Sequence, residues 1–109
     1  MATTYKVLGQ SNPAATTSTA LYTVPAATEC VISTINVCNQ SATDATFRLA
    51  VSVNGSALAA KDYLIYDATV RGNGIQAFTM GITMDATDVL RIYASSATLS
   101  FSAFGSEIA

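Results

Sequence analysis

Phe47, Leu49, Val51 and Val53 alternate with Arg48, Ala50 and Ser52, and the run ends at once on Asn54-Gly55. An apolar side chain at every second residue reaches one core only from a strand, because successive strand side chains point to opposite faces. Asn-Gly is the strongest short hairpin signal, since both central positions of a type I′ turn require positive φ. Its partner strand is expected to begin near Ser56–Leu58. The same period returns twice downstream. Leu90, Ile92 and Ala94 point inward with Arg91 and Tyr93 outward, and Leu99, Phe101 and Ala103 alternate with Ser100 and Ser102. Phe47, Leu49, Val51, Leu90, Ile92, Leu99 and Phe101 are therefore the expected core. No long stripe of helical period competes.

Turn signals recur along the rest of the chain at intervals of about ten residues, the spacing of an all-β sandwich or jelly roll. Tyr5 to Gly9 begins the sheet, and Ser11-Asn12-Pro13 turns it. A Thr/Ser/Ala-rich linker follows, either laid along a neighbouring subunit or solvated as a loop. Leu21–Val24 is short and β-prone and ends at Pro25, which cannot donate to a ladder. Cys30–Asn39 and Asp62–Val70 are β-branched or aromatic runs. Ile75–Ile82 is expected as one strand, with Gly81 a candidate bulge. Ala57–Lys61 is left open as a short helical turn. The expectation is a single all-β domain over residues 1–109, an antiparallel β-sandwich or jelly roll of about eight strands, with 11–19 a candidate extended linker.

A chain of 109 residues buries roughly two-thirds of its unfolded surface, enough for an independent core. Only 11% of the residues are charged, against about 25% in an ordinary soluble domain. A surface of small polar and apolar groups desolvates at low cost, since lone charges are expensive to bury, so the composition favours packing against other subunits. The basic residues Lys6, Arg48, Lys61, Arg71 and Arg91 are scattered, giving no stripe for nucleic acid. No apolar run approaches the ~20 residues of a membrane span. MATTYKVLG lacks a signal-peptide pattern, so synthesis in the cytoplasm is expected, where thiols stay reduced. Cys30 and Cys38 lie on one expected strand, about 26 Å apart at ~3.3 Å per residue. A disulfide needs Cα atoms within ~7 Å, which excludes an intrachain bond; buried free thiols are the preferred reading and an intersubunit bond the alternative.

Histidine is absent, which removes the commonest general base, the usual catalytic zinc ligand and the ordinary pH switch. Gly72-Asn73-Gly74 lacks the lysine and the following helix of a phosphate loop. Asp85 with Asp88, and Asp62 with Asp67, are carboxylate pairs, but each sits where Asp starts a turn by bonding its own backbone. A calcium site at Asp85–Asp88 lacks sufficient local oxygen ligands. No catalytic residue, metal or cofactor is assigned, and an enzyme is not expected. Tyr22, Tyr63, Tyr66 and Tyr93 either face a partner or cap the core edge.

Thr19 to Ala26 (TALYTVPA), a β-branched run closing on Val37-Cys38-Asn39, the opening Tyr5-Lys6-Val7-Leu8-Gly9-Gln10 and the ending Leu99 to Ile108 (LSFSAFGSEI) together resemble small structural proteins of tailed-bacteriophage virions. The resemblance covers nearly the whole chain. It implies a non-enzymatic virion protein, made in the host cytoplasm, that binds copies of itself and other virion subunits such as major capsid or tail proteins. Capsid decoration or cementing is the preferred placement, because the chain has no repetitive or glycine-rich shaft. A tail, neck or baseplate fibre or adaptor element is the alternative. So is a host-glycan module built on Tyr66, Asp67 and Asn73. The expected subunit contacts are Ser11, Asn12, Pro13, Thr16, Thr17, Phe104 and Ile108. Phe104 falls out of phase with Leu99, Phe101 and Ala103 and so points outward.

Overall fold

A computed structural model, describing residues 2–109, shows nine strands: β1 (Thr3–Ser11), β2 (Thr19–Thr23), β3 (Glu29–Asn39), β4 (Ala45–Ser52), β5 (Tyr63–Val70), β6 (Ile75–Phe78), β7 (Ile82–Met84), β8 (Val89–Ala94) and β9 (Leu99–Ile108). They form two antiparallel sheets packed as a β-sandwich. The first runs β1-β9-β3, with β6 and β7 end to end along the far side of β3, and the second runs β2-β8-β4-β5. Phe47 from the second sheet meets Phe101 from the first edge-on at 6.0 Å, and Phe78 at 5.8 Å. Ile35, Val37, Leu49, Leu90, Ile92 and Leu99 fill the remaining layer and are buried. Each such side chain contributes about 1.5–3 kcal/mol through burial, and this layer is the main source of stability.

The period-two runs fold as strands with the expected faces inward, except that Val53 leaves the strand for a short 3₁₀ turn and is 56% exposed. Val51 stays in phase, opposite Leu90 on β8, and packs against the core, but it is half-buried where full burial was expected. The expected single strand Ile75–Ile82 is two strands, because the chain breaks at Met80-Gly81, where Gly81 takes φ 64°. Both halves pair with β3, β6 along Ile35–Cys38 and β7 along Cys30–Ile32. That accounts for nine strands instead of eight. Asn54 and Gly55 do adopt positive φ, with Ser56 N–H donating to the Val53 carbonyl at 3.2 Å. The segment Ser56–Leu58 is not the partner strand, however. The chain passes through a short 3₁₀ turn at Ala60–Asp62 and pairs with β4 only from Tyr63. Asp62 thus precedes the strand, its carboxylate accepting from Ala59 N–H at 2.9 Å.

Cys30 and Cys38 are both free thiols on β3. Cys30 is buried, whereas Cys38 is half-buried, because a register shift between Ile32 and Thr34 changes which residues face the core. Asn39 ends that strand inside the protein. Its amide donates to the carbonyls of Thr43 and Val70 while its oxygen accepts from Ser41 N–H and the Thr98 hydroxyl. Among the described residues every buried side-chain polar atom has a partner.

Candidate subunit interface

Phe104 follows the inward Leu99, Phe101 and Ala103 on β9, and alternation turns it to the outer face of the first sheet. There it lies opposite Val7 on β1 and Thr34 on β3. Two positions along β9, Ser106 lies opposite Tyr5 and Val31, and two further on Ile108 lies opposite Thr3 and Glu29. Tyr5 is 83% exposed, Val7 49% and Phe104 37%. A shallow groove along this strip is lined by Tyr5, Val7, Val31, Ser33, Phe104 and Ser106, with the Glu107-paired Lys6 at its margin. Ser33 closes one side by donating its hydroxyl to the Phe104 carbonyl at 3.1 Å. Gly105 lets β3 and β9 approach here. A Cβ at that position would overlap the Val31 carbonyl oxygen and come within 2.9 Å of the Ile32 Cα.

Behind the strip, the inward side of the same strands carries a polar tie between the sheets. Glu107 on β9 accepts from the Lys6 ammonium of β1 at 2.8 Å and from the hydroxyl of Tyr22, which stands on β2 of the opposite sheet. The Lys6 and Tyr22 bonds hold the Glu107 carboxyl below the usual glutamate range. Burial, then the bond to Glu107, pushes the Tyr22 phenol upward. Burial also raises the Cys30 thiol. These bonds tie β9 and β1 to β2 of the opposite sheet.

The seven expected contact residues fall into two regions. Phe104 and Ile108 belong to the strip, but they are not part of a free tail, because residues 105–108 pair with β1 on one side and β3 on the other. Ser11 is the last residue of β1, paired with Phe101. Beyond it the chain folds back on its own domain and is not extended. The Asn12 side-chain amide donates to the carbonyls of Ala97 and Leu99 at 2.8 and 2.6 Å, Pro13 is buried, and Thr16 N–H bonds the Ala94 carbonyl at 2.8 Å. Of that group Asn12, Thr16 and Thr17 are exposed, the two threonine hydroxyls turned to the Ala15 carbonyl. Tyr5 and Val7 were not among the expected contacts. Their signal was the phase of β1, which a short run without alternating burial does not display.

The remaining candidates are structural. Asp88 accepts from Asn54 N–H and Asp85 N–H at 3.0 and 2.9 Å, and Asp85 accepts from Ala86 N–H. Among the described residues no group of three His, Cys, Asp or Glu side chains is placed to hold a metal, and no helix is long and apolar enough to cross a membrane. On the outer face of the second sheet, the Arg48 guanidinium lies over the rings of Tyr66 and Tyr93 at 4.1 and 4.2 Å and bonds Asp67 at 2.7 Å. Tyr63 meets Tyr66 edge-on at 5.0 Å. Asn73 belongs to the β5–β6 turn, its N–H bonded to the Ser41 carbonyl, so it does not share the Arg48 cluster with Tyr66 and Asp67. Compared with family models and with curated proteins, the chain matches none.

Proposed function

We propose that this chain is a non-enzymatic structural subunit of a tailed-phage particle, most simply a decoration or cement protein seated on the capsid shell in many copies. The resemblance of Thr19–Ala26, Val37–Asn39 and Leu99–Ile108 to such proteins sets the class. The observation that carries the reading is the strip Tyr5, Val7 and Phe104, an apolar surface on a hydrogen-bonded sheet of a protein with few charges. Exposed apolar patches mark contact sites, and this one docks without desolvating free ions.

Quantitative mass spectrometry of purified particles tests the proposal by copy number. Hundreds of copies support the shell, and small multiples of three, six or twelve move the protein to the neck or tail. Absence from particles refutes the virion reading altogether. Phe104→Asp should leave the domain folded while lowering its incorporation, and full occupancy by that variant would exclude the strip as the docking face.

A further inference from the structure

We infer that the amino-terminal half of β1 is a homodimerisation edge, pairing antiparallel with the same strand of a second copy about a twofold axis at Tyr5. β1 is an outer strand of its sheet, and among the described residues it pairs with β9 alone. Ala2 and Ala109 exchange both main-chain bonds, Ala2 N–H to Ala109 O at 2.8 Å and Ala109 N–H to Ala2 O at 3.0 Å. In an antiparallel ladder such pairs alternate with pairs that make no bonds to each other. The register Thr3↔Ile108 through Val7↔Phe104 is unbroken. Thr4 and Lys6 therefore bond β9, while Thr3, Tyr5 and Val7 direct their N–H and C=O groups away from the sheet.

The other edges are protected in ways that this one is not. β2 has only five residues, and Gly9 of β1 packs against its Leu21 carbonyl. β5 is bulged against β4 and carries Asp67 at φ 55°, tied to Arg48. β6 and β7 have four and three residues, with Gly81 between them. Short strands, bulges and charges are the usual protections of a sheet edge. Thr3–Val7 has no proline, no register shift and one charge, Lys6, which is neutralised by Glu107 at 2.8 Å.

The occupant follows from self-complementarity. With Tyr5 opposite Tyr5, Thr3 of one copy meets Val7 of the other, so all three outward residues fall in bonded pairs. About six ladder hydrogen bonds result. Lys6 then faces Thr4 of the second copy, so no like charges oppose each other. The pairing joins the two Tyr5–Val7–Phe104 strips into one surface across the axis. It stands on the fold alone and does not depend on where the protein is placed in a particle.

Sedimentation equilibrium of the full chain from about 10 μM to about 1 mM covers the range expected for an interface of this modest size. Wild type should show a monomer–dimer equilibrium. Tyr5→Pro removes an N–H that faces solvent in the monomer, a site where an edge strand tolerates proline. It should weaken dimerisation roughly tenfold or more with an unchanged circular dichroism spectrum. If Tyr5→Pro does not fold, Tyr5→Cys in a Cys38→Ser background decides. Across the axis its Cα would lie roughly 5.5 Å from its mate, within the ~4.4–6.8 Å of a disulfide. Mild oxidation should then give a covalent dimer that Tyr66→Cys in the same background does not give. A wild-type chain monomeric throughout, a dimer unaffected by Tyr5→Pro, equal cross-linking at positions 5 and 66, or assembly beyond two copies would each overturn the inference. The first of these would leave the edge to a strand of a different protein.

Discussion

Gly105→Ala is the substitution with the sharpest expected outcome. The added methyl has no side chain to displace. It overlaps the Val31 carbonyl oxygen and lies 2.9 Å from the Ile32 Cα and 3.0 Å from the Val31 carbonyl carbon. All three belong to β3, which is held by β9 on one side and by β6 and β7 on the other. Overpacking of a core typically costs about 1–3 kcal/mol when side chains can shift. Here ladder backbone must move, so a loss near 3 kcal/mol is expected, a large part of the ~5–15 kcal/mol that stabilises a domain. Urea unfolding followed by far-ultraviolet circular dichroism should show a lower midpoint at an unchanged slope. The melting temperature should fall by roughly 10–20 °C. Gly81→Ala is the comparison. Its methyl would meet no atom within 4 Å, but its φ of 64° disfavours a side chain, for a cost of about 1 kcal/mol. If Gly105→Ala were no more destabilising than Gly81→Ala, the close approach of β3 and β9 would be wrong.

Phe101→Ala should cost on the order of 3–5 kcal/mol by lost burial plus a cavity beside Phe47, read from the same urea curves; a loss under about 1 kcal/mol would mean the ring is not packed between the sheets. Because the folded Glu107 pKa lies below its unfolded value, its contribution to stability is present above the ordinary glutamate pKa of roughly 4.3 and is lost as pH falls through the folded value. Urea midpoints measured down to about pH 3 should therefore fall more steeply for wild type than for Glu107→Gln. With a thiol reagent, native protein should react at the half-buried Cys38 alone, Cys30 becoming reactive only on unfolding. Non-reducing gels of wild type should match reducing ones, and a dimer band abolished by Cys38→Ser would show an intersubunit disulfide instead.

The parts of this fold that could be read from the sequence are those in which a residue's environment is decided by its immediate neighbours. Leu99, Phe101 and Ala103 set the phase of β9, so the outward position of Phe104 followed without knowledge of the partner strands. Asn54-Gly55 likewise took the backbone that its residues favour, but the strand it leads to is chosen by tertiary pairing, and that strand begins at Tyr63. The bulges were not legible, because each is a mismatch between two strands and not a property of either. The shift at Ile32–Thr34 places Cys38 off the core. The loop after β1 looked free because its anchors, the carbonyls of Ala97 and Leu99, lie 85 and 87 positions away. Lys6, Glu107 and Tyr22 met for the same reason, through strands far apart in the chain.

The place of β9 between β1 and β3 also governs how the chain comes to be folded. The last of the nine strands to be synthesised is an interior strand of its sheet. Until it emerges from the ribosome, β1 has no sheet neighbour and one whole side of β3 is open. The second sheet needs only strands up to β8 and can assemble earlier, leaving an apolar face waiting for its cover. Closure of the sandwich is then a late event over nearly the full chain length, the kind of pairing that folds in milliseconds to seconds rather than microseconds. During that interval the unfinished chain presents open edges to its neighbours. Nascent chains crowded on one message would meet one another with those edges still open.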